Sequence, residues 1–519
     1  MRYSHIVVGA GSAGCVLAGG LSSRPGTDVL LIEAGPDYPA DGLPPELADG
    51  TTPAIGSHDW GVVGRGPRGR RMPIPRGRVV GGTSRINSCI ALWPEPGDFP
   101  GNLPGWEWKR IADCLREVEH DTDFPGGDHG DRGPVRIRRP RERTLTGPAR
   151  ALLAGVADLG WPVVADHNQP YTTGGGVAPL NLTPDGGRLS AAEAYLTERT
   201  ERTERTERTE RTERADRAGR LTIAAGARAE RVLIDRGRVV GVAYREAATG
   251  RVVEAEAGTV VLSAGAFGTP VVLLRSGLGP RDELRAAGVE VVVDLPGVGR
   301  NLSDHSQVPL VFRAAQTPRA GVPCVQVLAR YTAEASDTGN DMQLCLIGHV
   351  ALAGYLPEVA RLWSAELASS LTSNLMAPRV RGTVRIDRAR RIRVDYRYAD
   401  HPEDLRRHRE GVRLADRCLR TGALAAHVRD RHGPDDRTLA LDDALDDWIL
   451  DNVQPGHHPM GTARLGRPGD PGAVVTPDLA VRGVTNLYVA DASVLPGTLR
   501  ANTNLTVMAV ARNALRLLP

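Results

Sequence analysis

Ser4-His5-Ile6-Val7-Val8-Gly9-Ala10-Gly11-Ser12-Ala13-Gly14 decides the fold. A short uninterrupted apolar run marks a strand buried on both faces, and the glycines after it mark a tight turn. Cys15-Val16-Leu17-Ala18 continues at helical spacing, and a second apolar run, Asp28-Val29-Leu30-Leu31-Ile32, ends at Glu33. Strand, glycine turn, helix, strand and an acid about 20 residues past the last glycine compose the βαβ unit of a dinucleotide-binding fold. Gly9, Gly11 and Gly14 let the backbone turn sharply and approach a pyrophosphate at the helix N-terminus, where amides and dipole favour negative charge. Glu33 can accept from a ribose hydroxyl and repels a 2′-phosphate, which disfavours NADP. The alternative for this run is a plain glycine-rich turn with Glu33 as a solvated strand end.

The chain of 519 residues is long enough for two large domains and a substantial core. Its 65 basic and 62 acidic residues leave a formal charge of +3 and are spread along the chain. No single-sign block offers a grip on nucleic acid or an anionic membrane, so the expected partner is a small molecule. Cys15, Cys89, Cys114, Cys324, Cys345 and Cys418 form no CxxC pair and no dense framework. They read as reduced thiols of a cytoplasmic protein and give no metal site. The first strand begins too early for a signal peptide, and no apolar run approaches the roughly 18 residues of a membrane span. Oligomeric state is left open.

From about Arg65 to Gly105 the chain is rich in Gly, Pro and Arg with little periodicity, and reads as an extended functional loop outside the sheet. Residues 197–214 are consecutive Thr-Glu-Arg triplets. Their charges cancel and pair weakly at i,i+4, so the tract reads as a tolerated surface connection rather than a docking arm. Leu221-Thr222-Ile223-Ala224, Arg231-Val232-Leu233-Ile234, Val239 to Tyr244 and the very apolar Thr259 to Gly265 then resume the sheet. From about Val308 to Tyr398 period-two alternation dominates, as in Gly382 to Asp387 and Arg391 to Tyr396, and predicts a largely antiparallel sheet with one wet face. A helix from about Pro402 to Leu424, a final strand Asn486 to Ala490 and a closing helix follow. The expected fold is α/β: a discontinuous Rossmann-like nucleotide-binding domain and a second, largely antiparallel-sheet substrate domain. The expected boundaries are 1–150 for the first nucleotide-binding part, 151–217 for the connection and part of the substrate domain, and 218–305 for the second nucleotide-binding part. The substrate domain proper is 306–454, and 455–519 is the third nucleotide-binding part, carrying the active-site residues.

A titratable candidate stands near the end. His457-His458-Pro459-Met460-Gly461-Thr462 is followed, 44 residues after His458, by Asn502 in Ala501-Asn502-Thr503-Asn504. Imidazole changes charge near neutral pH and suits acid/base work, so a nucleotide cofactor and a base on one polypeptide point to redox chemistry.

Four further runs carry a resemblance. They are Gly77-Arg78-Val79-Val80-Gly81-Gly82-Thr83-Ser84-Arg85-Ile86-Asn87; Gly265-Ala266-Phe267-Gly268-Thr269-Pro270 with Ser276-Gly277-Leu278-Gly279; Gly297-Val298-Gly299-Arg300-Asn301-Leu302-Ser303-Asp304-His305; and the His458 region with Asp491-Ala492-Ser493-Val494-Leu495-Pro496 and Asn502. Together with the opening unit, and in the same order, they resemble the glucose-methanol-choline (GMC) family of FAD-dependent oxidoreductases.

The resemblance implies FAD, contacted at Gly9, Gly11, Ser12, Ala13, Gly14, Glu33 and Ala34, then at Arg78, Gly81, Gly82, Thr83, Asn87, Ser88 and Ala91. It continues at Ala227 and closes at Asp491, Ala492, Asn502 and Thr503. Gly81 and Gly82 would bring backbone beside the flavin, or form an ordinary turn; Asp491 would bond the ribityl region, or cap a turn. Where some members carry a flavin-bonding histidine just before the asparagine, this chain has Ile86, which implies noncovalent FAD. The run from Asn87 to Trp93 resembles the choline-oxidising branch and its relatives, including members associated with mycofactocin. His458 matches the histidine that handles the alcohol proton while hydride leaves to flavin N5, with Asn502 as its neutral partner. The adjacent His457 is the alternative base, and the HPxGT register favours His458. The closing helix would aim its N-terminal dipole at the flavin's pyrimidine edge.

Only 4% of the chain is aromatic, with Trp60, Trp93, Phe312, Tyr355 and Trp363 scattered. A quaternary ammonium usually calls for an aromatic cage, so choline is lowered among the candidates. The readings are an alcohol dehydrogenase passing electrons to an acceptor other than oxygen, a choline or other alcohol oxidase, and a flavin-binding module without turnover. The identity of the electron acceptor is not encoded legibly.

Overall fold

In the computed structural model, which describes residues 2–99, 101–197, 220–316, 321–351, 367–420 and 422–519, the opening apolar run is the strand Arg2–Val8. Ile6 and Val7 are fully buried, because strands pair on both sides and helices cover the sheet. The order across this sheet is Ala227–Asp235, Arg238–Glu246, Val252–Leu262, Arg2–Val8, Val29–Ile32 and Leu221–Ala224. Leu487–Val489 adds to the end of Val252–Leu262. Arg2–Val8, Val29–Ile32, Leu221–Ala224 and Leu487–Val489 all lie parallel to the last half of Val252–Leu262. Their C-terminal residues Val8, Ile32, Leu262 and Val489 therefore reach one edge together, the edge at which open parallel sheets bind ligands. Segments more than 480 residues apart meet there only because the chain returns at its end.

Helix Ser12–Leu21 packs beside the closing helix Thr503–Leu517, which in turn packs on Trp108–Val118. The last of these buries Ile111, Ala112, Cys114, Leu115 and Val118, an i, i+3, i+4, i+7 stripe.

The second sheet has the order Val428–His432, Ser306–Ala314, Leu367–Leu375, Met342–Ala351, Val325–Tyr331, Gly174–Val177 and Val163–Val164. It is antiparallel except at its last pair. Leu310, Leu344, Leu346 and Leu371 share one face with Val412, Ala415 and Leu419 of helix Pro402–Arg420. Alternation was expected to leave the other face wet. Instead its central strands are buried throughout, and the polar residues of that face border an internal cavity.

Three expectations change. Gly382 to Asp387 and Arg391 to Tyr396 were expected in the large antiparallel sheet; they contain the strands Thr383–Ile386 and Ile392–Asp395, which pair with each other and, through the second, with Val62–Arg65 in a separate four-stranded sheet. The stretch from Arg65 is accordingly not loop throughout. Arg71–Ile74 is the fourth strand of that sheet, with Met72 and Ile74 pointing inward by plain alternation. The helix expected to reach Leu424 ends at Arg420, and Gly422–Ala425 forms a separate turn. The Thr-Glu-Arg tract beyond Thr197, and Tyr355 and Trp363, lie outside the described residues.

Away from the parallel-strand edge, a buried ionic cluster pins the loops after Trp93. His129 bridges Glu119 at 3.0 Å and Asp166 at 2.8 Å, and Arg139 bonds both Asp121 and Asp166. Trp93 donates its indole N–H to Glu119 at 2.7 Å. Every charge in the cluster has a partner, as burial demands. Among the described residues no helix is long and apolar enough to cross a membrane, and no group of three metal-ligating side chains occurs.

Candidate active site

A cavity of about 730 Å³ runs from the C-terminal edge of the parallel strands to the polar face of the second sheet. At one end it is a cradle of backbone. Gly9 has φ +98, and a Cβ there would fall 2.6 Å from the Ser263 carbonyl; one on Gly14 would fall 1.8 Å from the Gly9 carbonyl. Gly81 and Gly82 also have positive φ, and a Cβ on Gly82 would meet the Gly11 backbone at 2.6 Å. Gly11 differs: its φ is −82 and nothing lies within 4 Å of where its Cβ would be. That open space is room for a ligand against bare backbone.

Two helices start at this cradle. Ser12–Leu21 and Thr503–Leu517 have no side-chain cap on their N-terminal amides, and the Ser12 hydroxyl donates to Asn504 Oδ1 at 2.7 Å, tying the two starts together. Uncapped amides and two dipole ends of one sign suit an anionic, phosphate-bearing ligand. Glu33 is buried, and its carboxylate accepts from the Ala10 amide at 3.0 Å and the Gly35 amide at 2.8 Å. Burial, opposed by those amides, pushes its pKa up to about 7.

The expected cofactor residues are largely brought together. Gly9, Gly11, Ser12, Ala13, Glu33, Ala34, Gly82, Thr83, Asn87, Ser88, Ala227, Asp491, Ala492, Asn502 and Thr503 all line the cavity, as does Ile86. Gly14 stands behind the turn, letting the helix close on Gly9, and Gly81 donates its amide to the Ala10 carbonyl at 2.7 Å. Arg78 faces a neighbouring pocket with Pro36, His58 and Asp59, and Ala91 is packed in the core, its amide on the Pro179 carbonyl. The Asp491 carboxylate accepts from Ser493, Gly265 and Thr269, so its bonds are those of a turn cap. Of the aromatic candidates among the described residues, Trp60 lines the cavity, and Trp93 and Phe312 belong to the core.

Midway along the cavity lies His458. Asn502 Nδ2 is 3.0 Å from its Nε2, and His305 Nδ1 is 3.0 Å from its Nδ1. His305 Nε2 sits 2.5 Å from the Leu499 carbonyl, which can only accept. His305 therefore carries its proton on Nε2 and accepts at Nδ1, which requires His458 to carry its own on Nδ1. The Nε2 lone pair of His458 is left facing the cavity and the Asn502 amide. Burial, with His305, His457 and Arg76 adding to it, holds the His458 pKa well below the ordinary value, so the ring is neutral. Asp304 fixes the backbone, its Oδ1 accepting from the His458 amide at 2.7 Å while Oδ2 accepts from the Tyr398 hydroxyl at 2.7 Å. Burial raises the Asp304 pKa to about 6.

His457 also lines the cavity, and burial with Arg76 pushes its pKa down to about 3, but it makes none of these ring contacts. It holds a left-handed φ of 66, gives its carbonyl to Arg76, and leaves its ring Nδ1 without a partner among the described residues. His305, Asp304 and Tyr398 had no role in the sequence reading, although the Asn301-Leu302-Ser303-Asp304-His305 motif was the available signal.

Family models described as GMC oxidoreductase match residues 3–307 and 378–511. The chain belongs to the GMC oxidoreductase family. GMC oxidoreductases bind FAD, and this one is an oxidoreductase acting on CH–OH groups. Among its relatives, the 5-(hydroxymethyl)furfural oxidase of Methylovorus sp. (strain MP688) is 31% identical, the alignment covering 98% of this chain and 97% of that protein. The choline oxidase of Arthrobacter globiformis is 32% identical over 98% of this chain and 93% of that protein. The crystal structure of pyridoxine 4-oxidase from Mesorbium loti superposes with a TM-score of 0.86 at 28% identity, covering 99% of this chain and 98% of that one. The cradle fits the family's cofactor: backbone without Cβ, two uncapped helix starts and a buried acid line one continuous space.

Proposed function

We propose that this GMC oxidoreductase converts an alcohol to the aldehyde or ketone with noncovalent FAD, His458 taking the hydroxyl proton and Asn502 orienting the oxygen. Bound FAD supplies the hydride acceptor, flavin N5. What carries the reading is the proton inventory of the two histidines: His305 accepts the Nδ1 proton of His458, so the Nε2 lone pair, with Asn502 as its one partner among the described residues, is on the side of the cavity. A neutral, desolvated imidazole is a competent base at neutral pH. Asn502 lies 3.0 Å from that lone pair, and a hydroxyl entering between them replaces one contact with two, its proton toward Nε2 and its oxygen toward the amide. The residues that line the cradle, from Gly9 to Ala34 and from Gly82 to Ser88, with Ala227, Ala492 and Thr503, are proposed to hold FAD. Residues 1–150, 218–305 and 455–519 are proposed as its domain, with 151–217 and 306–454 contributing the substrate side.

Ile86 lines the cavity with a hydrocarbon that can form no bond to the flavin, which supports dissociable FAD. Electrons are proposed to pass to an acceptor other than oxygen, the reading favoured by the resemblance of the Asn87 to Trp93 run to mycofactocin-associated members. The test is anaerobic mixing with a panel of alcohols while the oxidised-flavin absorbance is followed, then reoxidation with and without oxygen. Bleaching by an alcohol, with slow return in air, is expected. No bleaching by any alcohol overturns the reaction, and rapid oxygen uptake overturns the acceptor. Acid precipitation should leave all yellow colour in the supernatant.

A further inference from the structure

Gln307, Asn374 and Gln343 lie side by side on three adjacent strands. Gln307 is in register with Asn374, and Asn374 with Gln343. Residues directly opposite across antiparallel strands point to the same face, with Cβ atoms about 5 Å apart, so three carboxamides form one row. All three are buried and line the cavity. Gln307 lies two residues beyond His305, about 7 Å along the strand, so a small molecule with its hydroxyl at His458 reaches the row.

The hydrogen-bond inventory of the row is incomplete in a definite pattern. Gln307 commits its Nε2 to the Pro455 carbonyl at 2.8 Å, and Asn374 commits its Nδ2 to the carbonyls of Gln343 and Thr372. Their side-chain oxygens have no partner among the described residues. Gln343 Nε2 is a buried donor with no partner at all among those residues. A buried polar group left unpaired is costly, and two acceptor oxygens in a cavity wall are the complement of a ligand that donates.

Among the described residues no carboxylate accompanies the row. The acids among the described lining residues are Glu33 and Asp491, both at the cradle with their carboxylates on protein donors. Arg76, donating to the His457 carbonyl, places a cation beside the base. That cation repels a quaternary ammonium, and among the described lining residues Trp60 and Phe267 are the only aromatic side chains besides the histidines.

We infer that Gln307, Asn374 and Gln343 select a neutral alcohol carrying a second hydroxyl or similar donor group at its far end, and discriminate against cationic amino alcohols. This rests on the alcohol-oxidising reading above. The test uses the FAD-loaded protein and three primary alcohols, 2,5-bis(hydroxymethyl)furan, furfuryl alcohol, which lacks only the far hydroxymethyl, and choline, with anaerobic flavin reduction as the readout. The expected preference for the first over the second is roughly tenfold in the reduction rate at low concentration, the usual scale for a site built around a polar group. Choline is expected to be slowest. Asn374→Leu should collapse the ratio between the two furans toward one, and Asn374→Asp should raise the rate with choline, each variant being first checked for retained FAD. If wild type reduces both furans equally, or prefers choline, the inference is overturned while the alcohol-oxidising reading stands. If none of the three bleaches the flavin and other alcohols do, the inference alone falls; if no alcohol does, both fall.

Discussion

The Nδ1 atoms of His305 and His458 lie 3.0 Å apart and share one proton, donated by His458. The direction of that bond is set from behind, by the Leu499 carbonyl on the far nitrogen of His305. A tautomer is thereby chosen by a backbone oxygen two bonds removed from the cavity, which is the way a triad orients its histidine.

His458→Ala should retain FAD and lose about 10² to 10⁴-fold in the rate of flavin reduction, the usual contribution of a positioned base. Asn502→Ala should lose less, roughly 1 to 3 kcal/mol of transition-state stabilisation, as a neutral orienting bond does. His457→Ala is the control and should lose least. A collapse in His457→Ala with His458→Ala near wild type would move the base by one residue.

The pH profile should carry the mark of a depressed histidine. A base that must be neutral loses activity as pH falls through its pKa, and that pKa is held well below 6.5 by burial, His305, His457 and Arg76. Flavin reduction should stay level from about pH 9 to below 6.5, where an ordinary histidine would be half protonated. Arg76→Met removes one positive neighbour and should move the inflection upward. An inflection already at or above 6.5 in wild type would mean that the ring is not neutralised as its surroundings require.

Gly11→Ala should separate folding from cofactor binding. Its Cβ meets no protein atom and its φ of −82 suits alanine, so the protein should melt within a degree or two of wild-type apoprotein, since surface-like changes without contacts cost under about 0.5 kcal/mol. The methyl would fill the space left for pyrophosphate, so FAD content after purification should fall sharply. Full FAD occupancy in this variant would place the cofactor elsewhere.

The ionic cluster predicts an alkaline limit to stability. Burial acts to lower the His129 pKa, but Asp166 and Glu119 more than reverse it, to about 10. The folded chain then binds a proton that the unfolded chain releases near 6.5. The added stability is complete below pH 6.5 and fades as pH rises through about 10, by an amount on the order of a few kcal/mol. Urea midpoints of wild type should fall between pH 7 and 10, and those of His129→Gln should be lower at pH 7 and nearly flat. Parallel curves for the two proteins would exclude the cluster as the cause.

Legibility followed the range of the interactions. Val29–Ile32 and the last three residues of Arg2–Val8 and of Val252–Leu262 announce themselves because burial on both faces leaves a short apolar run. The glycine turn was readable because Gly9, Gly14 and Gly82 have backbones that no Cβ permits. Alternation revealed the strands Thr383–Ile386 and Ile392–Asp395 but not the sheet they join, because pairing with Val62–Arg65 is a choice of partner, not of local conformation. The same limit hid the carboxamide row, whose members are distant in sequence and aligned only by register. His305 stayed silent for another reason: its task is to hold a proton for His458, and a motif shows the residue without its hydrogen bonds.

The bond between Ser12 and Asn504 joins positions 492 residues apart in sequence. A chain cut anywhere between the two helix starts therefore divides the proposed cradle, and a fragment that stops short of residue 502 loses the second helix start together with the side-chain partner of His458.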